Sequence, residues 1–206
     1  MHIPDGFLNL PVLISTGTFS AGMLAISSKK INKTISPERI PLMGLSAAFV
    51  FTAQLLSFPV LGGTSVHISG SLLIAILLGP FSGFLITSSA IILQALLFQH
   101  GGLLTIGANI LNIAFIQAFL GYYLFRIFPE KKYFFSIFFS VTIIKILASA
   151  TCASELIISG TIPFREGMIS MVSAHLIAGI IESIVTIFIF SIIRKLSPEI
   201  FKMEKI

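Results

Sequence analysis

Residues 168–195 read MISMVSAHLIAGIIESIVTIFIFSIIRK. This run carries a single acid, Glu182, and no base until Arg194 and Lys195 close it. A helix needs about 20 predominantly apolar residues to cross a bilayer core, and this stretch exceeds that. Runs of the same kind recur toward the N-terminus. The pattern predicts helices over about 7–27, 42–60, 68–78, 81–98, 108–128, 133–159 and 168–195. The expected fold is therefore an all-α integral membrane protein of seven transmembrane helices, forming one domain over residues 1–206. Within it, residues 1–6 form a terminal plug, 7–195 the bundle and 196–206 a tail.

Composition agrees. Of 206 residues 55% are hydrophobic and 10% charged, with a mean hydropathy of +1.03; soluble domains carry about 25% charged residues. The formal charge of +5 marks a membrane side and not a nucleic-acid surface, because cytoplasmic loops collect Lys and Arg. With the N-terminus outside, eleven bases fall in inner segments: Lys29, Lys30, Lys33, Arg39, Arg126, Lys131, Lys132, Arg194, Lys195, Lys202 and Lys205. Only Arg165 falls outside, and Lys145 lies within a helix. The expected topology has an extracytoplasmic N-terminus and a cytoplasmic C-terminus. The first base is Lys29, so no signal peptide is expected. One cysteine, Cys152, excludes a disulfide within the chain; it reads as a small buried hydrophobe rather than a reactive thiol. No Walker A motif is present, so ATP hydrolysis by a P-loop is not expected of this chain.

The chain opens MHIPDGFL. A histidine at position 2 offers a chelate. The amine of Met1 and the deprotonated amide of His2 close a five-membered ring on a metal; that amide and His2 Nδ1 close a six-membered one. A further nitrogen completes a planar set, the geometry of Ni(II) or Cu(II). The stretch FPVLGGTSVH offers His67 on the same expected membrane face. Gly62 and Gly63 permit a sharp turn, while Thr64 and Ser65 cap the third helix or bond the loop. Irregular backbone at membrane depth is tolerated only where protein covers it. On residues alone, His2 and His67 are either interfacial groups or ligands. His100, in QHGG, reads as interfacial or supporting. Asp5 bonds the plug or caps the first helix, the cap being preferred, and Asn109 braces the ligands.

Lys145 and Glu182 fall near the midpoints of the last two helices, where ionisable groups need partners. In an antiparallel pair, levels match when residue numbers sum to a constant. Lys145 with Glu182 and Glu155 with His175 give nearly equal sums, so both pairs are expected to approach. They either fix helix register, the preferred reading, or serve transport. Gly44 and Ala48, four apart, permit close helix contact, either inside the bundle, as preferred, or with a partner.

The segments MHIPDGFL, FPVLGGTSVHISG, GGLLTIGANILN and MVSAHLIAGIIES, in this order, resemble the CbiM/NikM family, from residue 1 to about residue 195. That resemblance implies the substrate-binding membrane subunit (S-component) of an energy-coupling-factor (ECF) transporter for cobalt or nickel, a multi-pass protein of the prokaryotic cell membrane. It implies a metal held by the Met1 amine, by His2 and by His67. It also implies work beside a transmembrane coupling protein and two ATPase subunits, with a small accessory membrane protein, in contact with lipid and not with nucleic acid. Ni(II) or Co(II) is then cargo, no catalytic cofactor is implied, and the chain is no enzyme. The PDG opening is more similar to the nickel branch. Rival readings are a self-sufficient secondary divalent-metal transporter, an intramembrane enzyme (no HExxH and no nucleophile with a base support it) and an S-component for an organic vitamin.

Overall fold

A computed structural model describes residues 1–60, 64–129 and 132–200. The N-terminal segment runs without helix, turning at Asp5 and Gly6, until Asn9, whose side chain accepts from Val12 N at 3.1 Å and so starts α1, Leu10–Thr34. Asn is a preferred cap because its oxygen satisfies a helix-end N–H that has no intrahelical acceptor. Twenty-five residues reach about 37 Å at 1.5 Å each. Helix α1 therefore continues through Lys29, Lys30 and Lys33, which were expected in a loop after residue 27.

Helix α2, Arg39–Leu55, ends earlier than the expected residue 60. Residues Ser57–Val60 leave it as strand β1, paired antiparallel with β2, Thr64–His67, in the register Ser57↔His67. Pro59 explains the stop, since proline inside a helix removes a hydrogen bond and clashes with the preceding turn. Helix α3, Ser71–Leu78, follows, and all eight of its residues are buried. It breaks at Gly79, whose φ of 88° favours glycine, and α4, Pro80–Phe98, begins at once. A Cβ on Gly83 would stand 2.7 Å from the Ala75 Cα; glycine there lets α4 fold closely back on α3.

Helix α5, Ile106–Ile127, is π-helical over Ile110–Leu120. Within it the Gln117 side chain donates through Nε2 to the Asn112 carbonyl at 3.4 Å. Helices α6, Tyr133–Ile158, and α7, Phe164–Leu196, form the expected antiparallel pair. Gly179 lets them close: a Cβ there would lie 3.2 Å from both the Lys145 Cβ and the Thr142 Cα.

Among the described residues, five helices (α1, α4, α5, α6 and α7) are long and apolar enough to cross a membrane. Large apolar side chains stay exposed along them, such as Ile14, Leu97, Phe135 and Phe188. A surface of this kind suits lipid, not water. Inside lie two apolar clusters. One gathers Met1, Ile3, Ile91, Ile113 and Ala148; the other gathers Val50, the α3 leucines, Ile137 and Phe190. Gly44 and Ala48 are exposed on α2, and a Cβ on Gly44 would meet nothing. The preferred reading of that pair as packing inside the bundle is thus corrected.

Candidate metal centre

The first residues are folded into the bundle. Met1 is 4% exposed and Ile3 2%. Ile3 N donates to Asn109 Oδ1 at 2.8 Å, and the Ile3 carbonyl accepts from Asn109 Nδ2 (3.1 Å), Thr105 Oγ1 (2.5 Å) and Gly102 N (2.9 Å). The Asp5 carboxylate accepts from Leu103 N, Leu104 N and Thr105 N at 2.8–3.3 Å. It caps the turn before α5 and not the start of α1, which belongs to Asn9. Gly102 is demanded by this contact: a Cβ would lie 2.0 Å from Asp5 Oδ1. On Gly101, at φ 87°, a Cβ would lie 2.9 Å from Asn109 Nδ2. Farther along, Asn9 N donates to Ser159 Oγ at 3.1 Å, and the Thr161 hydroxyl donates to the Phe7 carbonyl.

This docking brings three imidazoles together. The ring centroids of His2 and His67 are 4.9 Å apart, and those of His2 and His100 4.3 Å apart. Both ring nitrogens of His2, both of His67 and Nε2 of His100 are buried without a hydrogen-bond partner. Gln94, a polar neighbour of His2, donates to the Phe51 carbonyl at 3.0 Å, which leaves its Oε1 unpartnered as well. Buried imidazole nitrogens normally find partners, so this concentration of unsatisfied ring nitrogens is unusual.

Burial sets the charge state. It pushes the Met1 amine down to about 6 and the His2 and His67 imidazoles well below the ordinary histidine value. Proximity of the amine and the rings reinforces the shift, since like charges resist sharing a site. At neutral pH these nitrogens carry lone pairs, the form that binds metal. Among the described residues no three His, Cys, Asp or Glu side chains form a ready metal cage.

The expected Lys145–Glu182 pair is made, at 2.5 Å, with both side chains buried. Lys145 Nζ also donates to the His67 carbonyl at 2.9 Å. Glu182 Oε1 accepts from Ser69 N (3.1 Å), Ser69 Oγ (2.6 Å) and Gly70 N (3.0 Å). The pair thus seats the end of the hairpin on α6 and α7. Glu155 and His175, the second expected pair, share no direct hydrogen bond. Glu155 Oε2 accepts from Asn112 Nδ2 at 2.6 Å, and His175 Nδ1 bonds the Met171 carbonyl in its own helix at 2.7 Å.

Gly62 and Gly63 lie outside the described residues, as do the side chains of Thr64 and Ser65. Gln94, Thr105, Asn112, Gln117 and Ser69 were not singled out as site residues. The signal for Gln94, Asn112 and Gln117 was a polar side chain inside an apolar run; nothing local marks Thr105 or Ser69.

Residues 2–200 match the family model for the cobalt uptake substrate-specific transmembrane region, CbiM. The chain belongs to the CbiM family. A cobalt transport protein, CbiM 1, of Pelobacter propionicus is 36% identical over 160 residues, 76% of this chain and 71% of that protein. A fused nickel transport protein, NikMN, of Rhodobacter capsulatus is 35% identical over 116 residues, 56% of this chain and 33% of that protein. The crystal structure of a transition metal transporter superposes with a TM-score of 0.88 at 30% identity, over 100% of this chain and 98% of that one. This CbiM-family chain is a multi-pass protein of the prokaryotic cell membrane and a component of metal transport.

Proposed function

We propose that this chain captures Ni(II) or Co(II) as the S-component of an ECF-type importer, with nickel preferred. The Met1 amine, the His2 amide, His2 Nδ1 and one nitrogen of His67 supply a planar set of four donors. One observation carries the reading: His2 and His67 face each other with all four ring nitrogens buried and unbonded, beside a buried chain start. Square-planar nitrogen donors favour Ni(II), and the PDG opening points the same way. His100 supports His2 from the opposite side. Asn109, Thr105 and Asp5 hold the opening segment in place.

In this reading α2 and α3 complete seven membrane-crossing elements, with the N-terminus outside and the basic ends inside. Residues 1–6 are the plug, 7–195 the bundle and 196–206 the inner tail. A coupling protein and two ATPase subunits power release, and a small accessory membrane protein assists. The exposed Gly44–Ala48 face of α2 suits close contact with the coupling protein.

Isothermal calorimetry with Ni(II) and Co(II) tests the site, comparing the native terminus with a chain extended by one residue. Extension moves histidine to position 3 and displaces the amine from its ring. Binding should collapse; binding that persists unchanged would place the site elsewhere.

A further inference from the structure

At the end of the bundle opposite the histidines, a cavity of about 350 Å³ opens between the end of α1, the start of α2, the α3–α4 break and the last turns of α5. Lys30, Arg39, Tyr122 and Tyr123 line it, with Gly79 and Ser82 at its base. Among the described residues no carboxylate lines it. Arg39 Nη2 is buried without a hydrogen-bond partner. A guanidinium N–H left unsatisfied is costly, and its planar fork suits phosphate oxygens. Helix α4 begins in this cavity, and no side chain caps it. The first N–H groups of a helix have no intrahelical acceptor and carry the positive end of its dipole.

These features select an anion; the surroundings select its source. Ile26, Ile40, Tyr123 and Ile127 stand exposed around the same end of the bundle, an apolar face that a free phosphate would not use. Lys33, Arg126, Lys132, Arg194 and Lys195 share that end. Basic cavities between membrane helices on a positively charged side take anionic headgroups. We propose that this cavity binds the headgroup of an anionic phospholipid, with the phosphate against Arg39, Lys30 and the start of α4, and the acyl chains along the exposed isoleucines. The proposal does not depend on the metal reading.

The test uses the full chain in nanodiscs of equal phosphatidylglycerol and phosphatidylcholine, followed by native mass spectrometry of the lipid it retains. Phosphatidylglycerol should be retained preferentially. Arg39→Gln should cut that preference about fivefold, the ratio matching the roughly 1 kcal/mol of one basic side chain at an anionic surface. Lys30→Gln should act in the same direction, with an unchanged melting temperature in both variants as the folding control. No headgroup preference, or one that both variants leave intact, overturns the proposal. Inorganic phosphate that displaces the lipid at millimolar concentration makes this a free-phosphate site and overturns the lipid source. Loss of a co-purifying coupling protein in Arg39→Gln with lipid retention unchanged assigns the cavity to a partner's carboxylate and also overturns it.

Discussion

Asn109 turns both halves of its amide toward one residue, accepting from Ile3 N and donating to the Ile3 carbonyl. A residue next to a two-residue chelate must be held firmly, because small displacements of a donor weaken coordination. The bonds at Ile3 and Asp5 would perform that service for the proposed chelate. The ionisation of its nitrogens makes a pH prediction. Metal binding displaces any proton on the amine and the proton on the His2 amide. The folded amine sits near 6, below the ordinary value near about 8. Above about pH 6 the amine is already neutral, so binding should release about one proton, from the amide. Below it the amine contributes a second, and affinity should fall more steeply as the medium becomes acid. Calorimetry in buffers of different ionisation enthalpy, repeated across pH, measures this release. A break near pH 8 would mean an amine that is solvated and not buried.

At the scale of elements, the site is a meeting of three pieces: the extended opening segment, the β-hairpin and the turn before α5. Two contacts hold them. Lys145 and Glu182 lock the hairpin to α6 and α7, a buried pair with further hydrogen bonds on both members. Removing one partner of such a pair costs about 3–5 kcal/mol, because the other is left as an uncompensated buried charge. Lys145→Met should therefore lower the melting temperature of the detergent-solubilised chain and weaken Ni(II) binding together, through loss of the anchor on the His67 carbonyl. An unchanged affinity would show that His67 is held by the hairpin alone. The second contact is Gly102 against Asp5. Gly102→Ala sets a methyl 2.0 Å from Asp5 Oδ1, which must push the opening segment off its seat. The expected cost is about 1–3 kcal/mol, the usual range for a strained packed position. It should be read mainly in metal affinity, with the thermal stability of the helices less affected. Ni(II) titration beside a melting curve separates the two effects.

Across the whole molecule, charge and site occupy opposite ends. The histidines lie where α1, α5 and α7 begin and α4 and α6 end, while the basic residues crowd the other end. In the proposed orientation, with positive residues inside, the chain start faces out, where it would meet incoming metal. A reporter active only in the cytoplasm should work when fused after residue 206 and fail when placed in the α6–α7 turn. The reverse result would invert the proposed direction of capture.

Much of this was legible before any coordinates. Apolar runs longer than a bilayer, the eleven-to-one sorting of bases and the opening dipeptide depend on chemistry within a few residues of each other. The pairing of Lys145 with Glu182, 37 residues apart, was legible too, because antiparallel helices joined by a short turn place them at matched depth. Tertiary structure decided what depends on distant neighbours. Asp5 caps the turn before α5 because that turn presents three free N–H groups to it, while Asn9 already occupies the start of α1. Glu155 takes Asn112 from α5, a partner on a different element that no periodicity announced. The hairpin at residues 57–67 arises where a proline-interrupted apolar run can no longer continue as helix and finds α6 and α7 to cover it. Short-range pattern determined which segments enter the membrane; only the packing of segments far apart in sequence determined which polar groups were satisfied, and so which nitrogens remained unpaired.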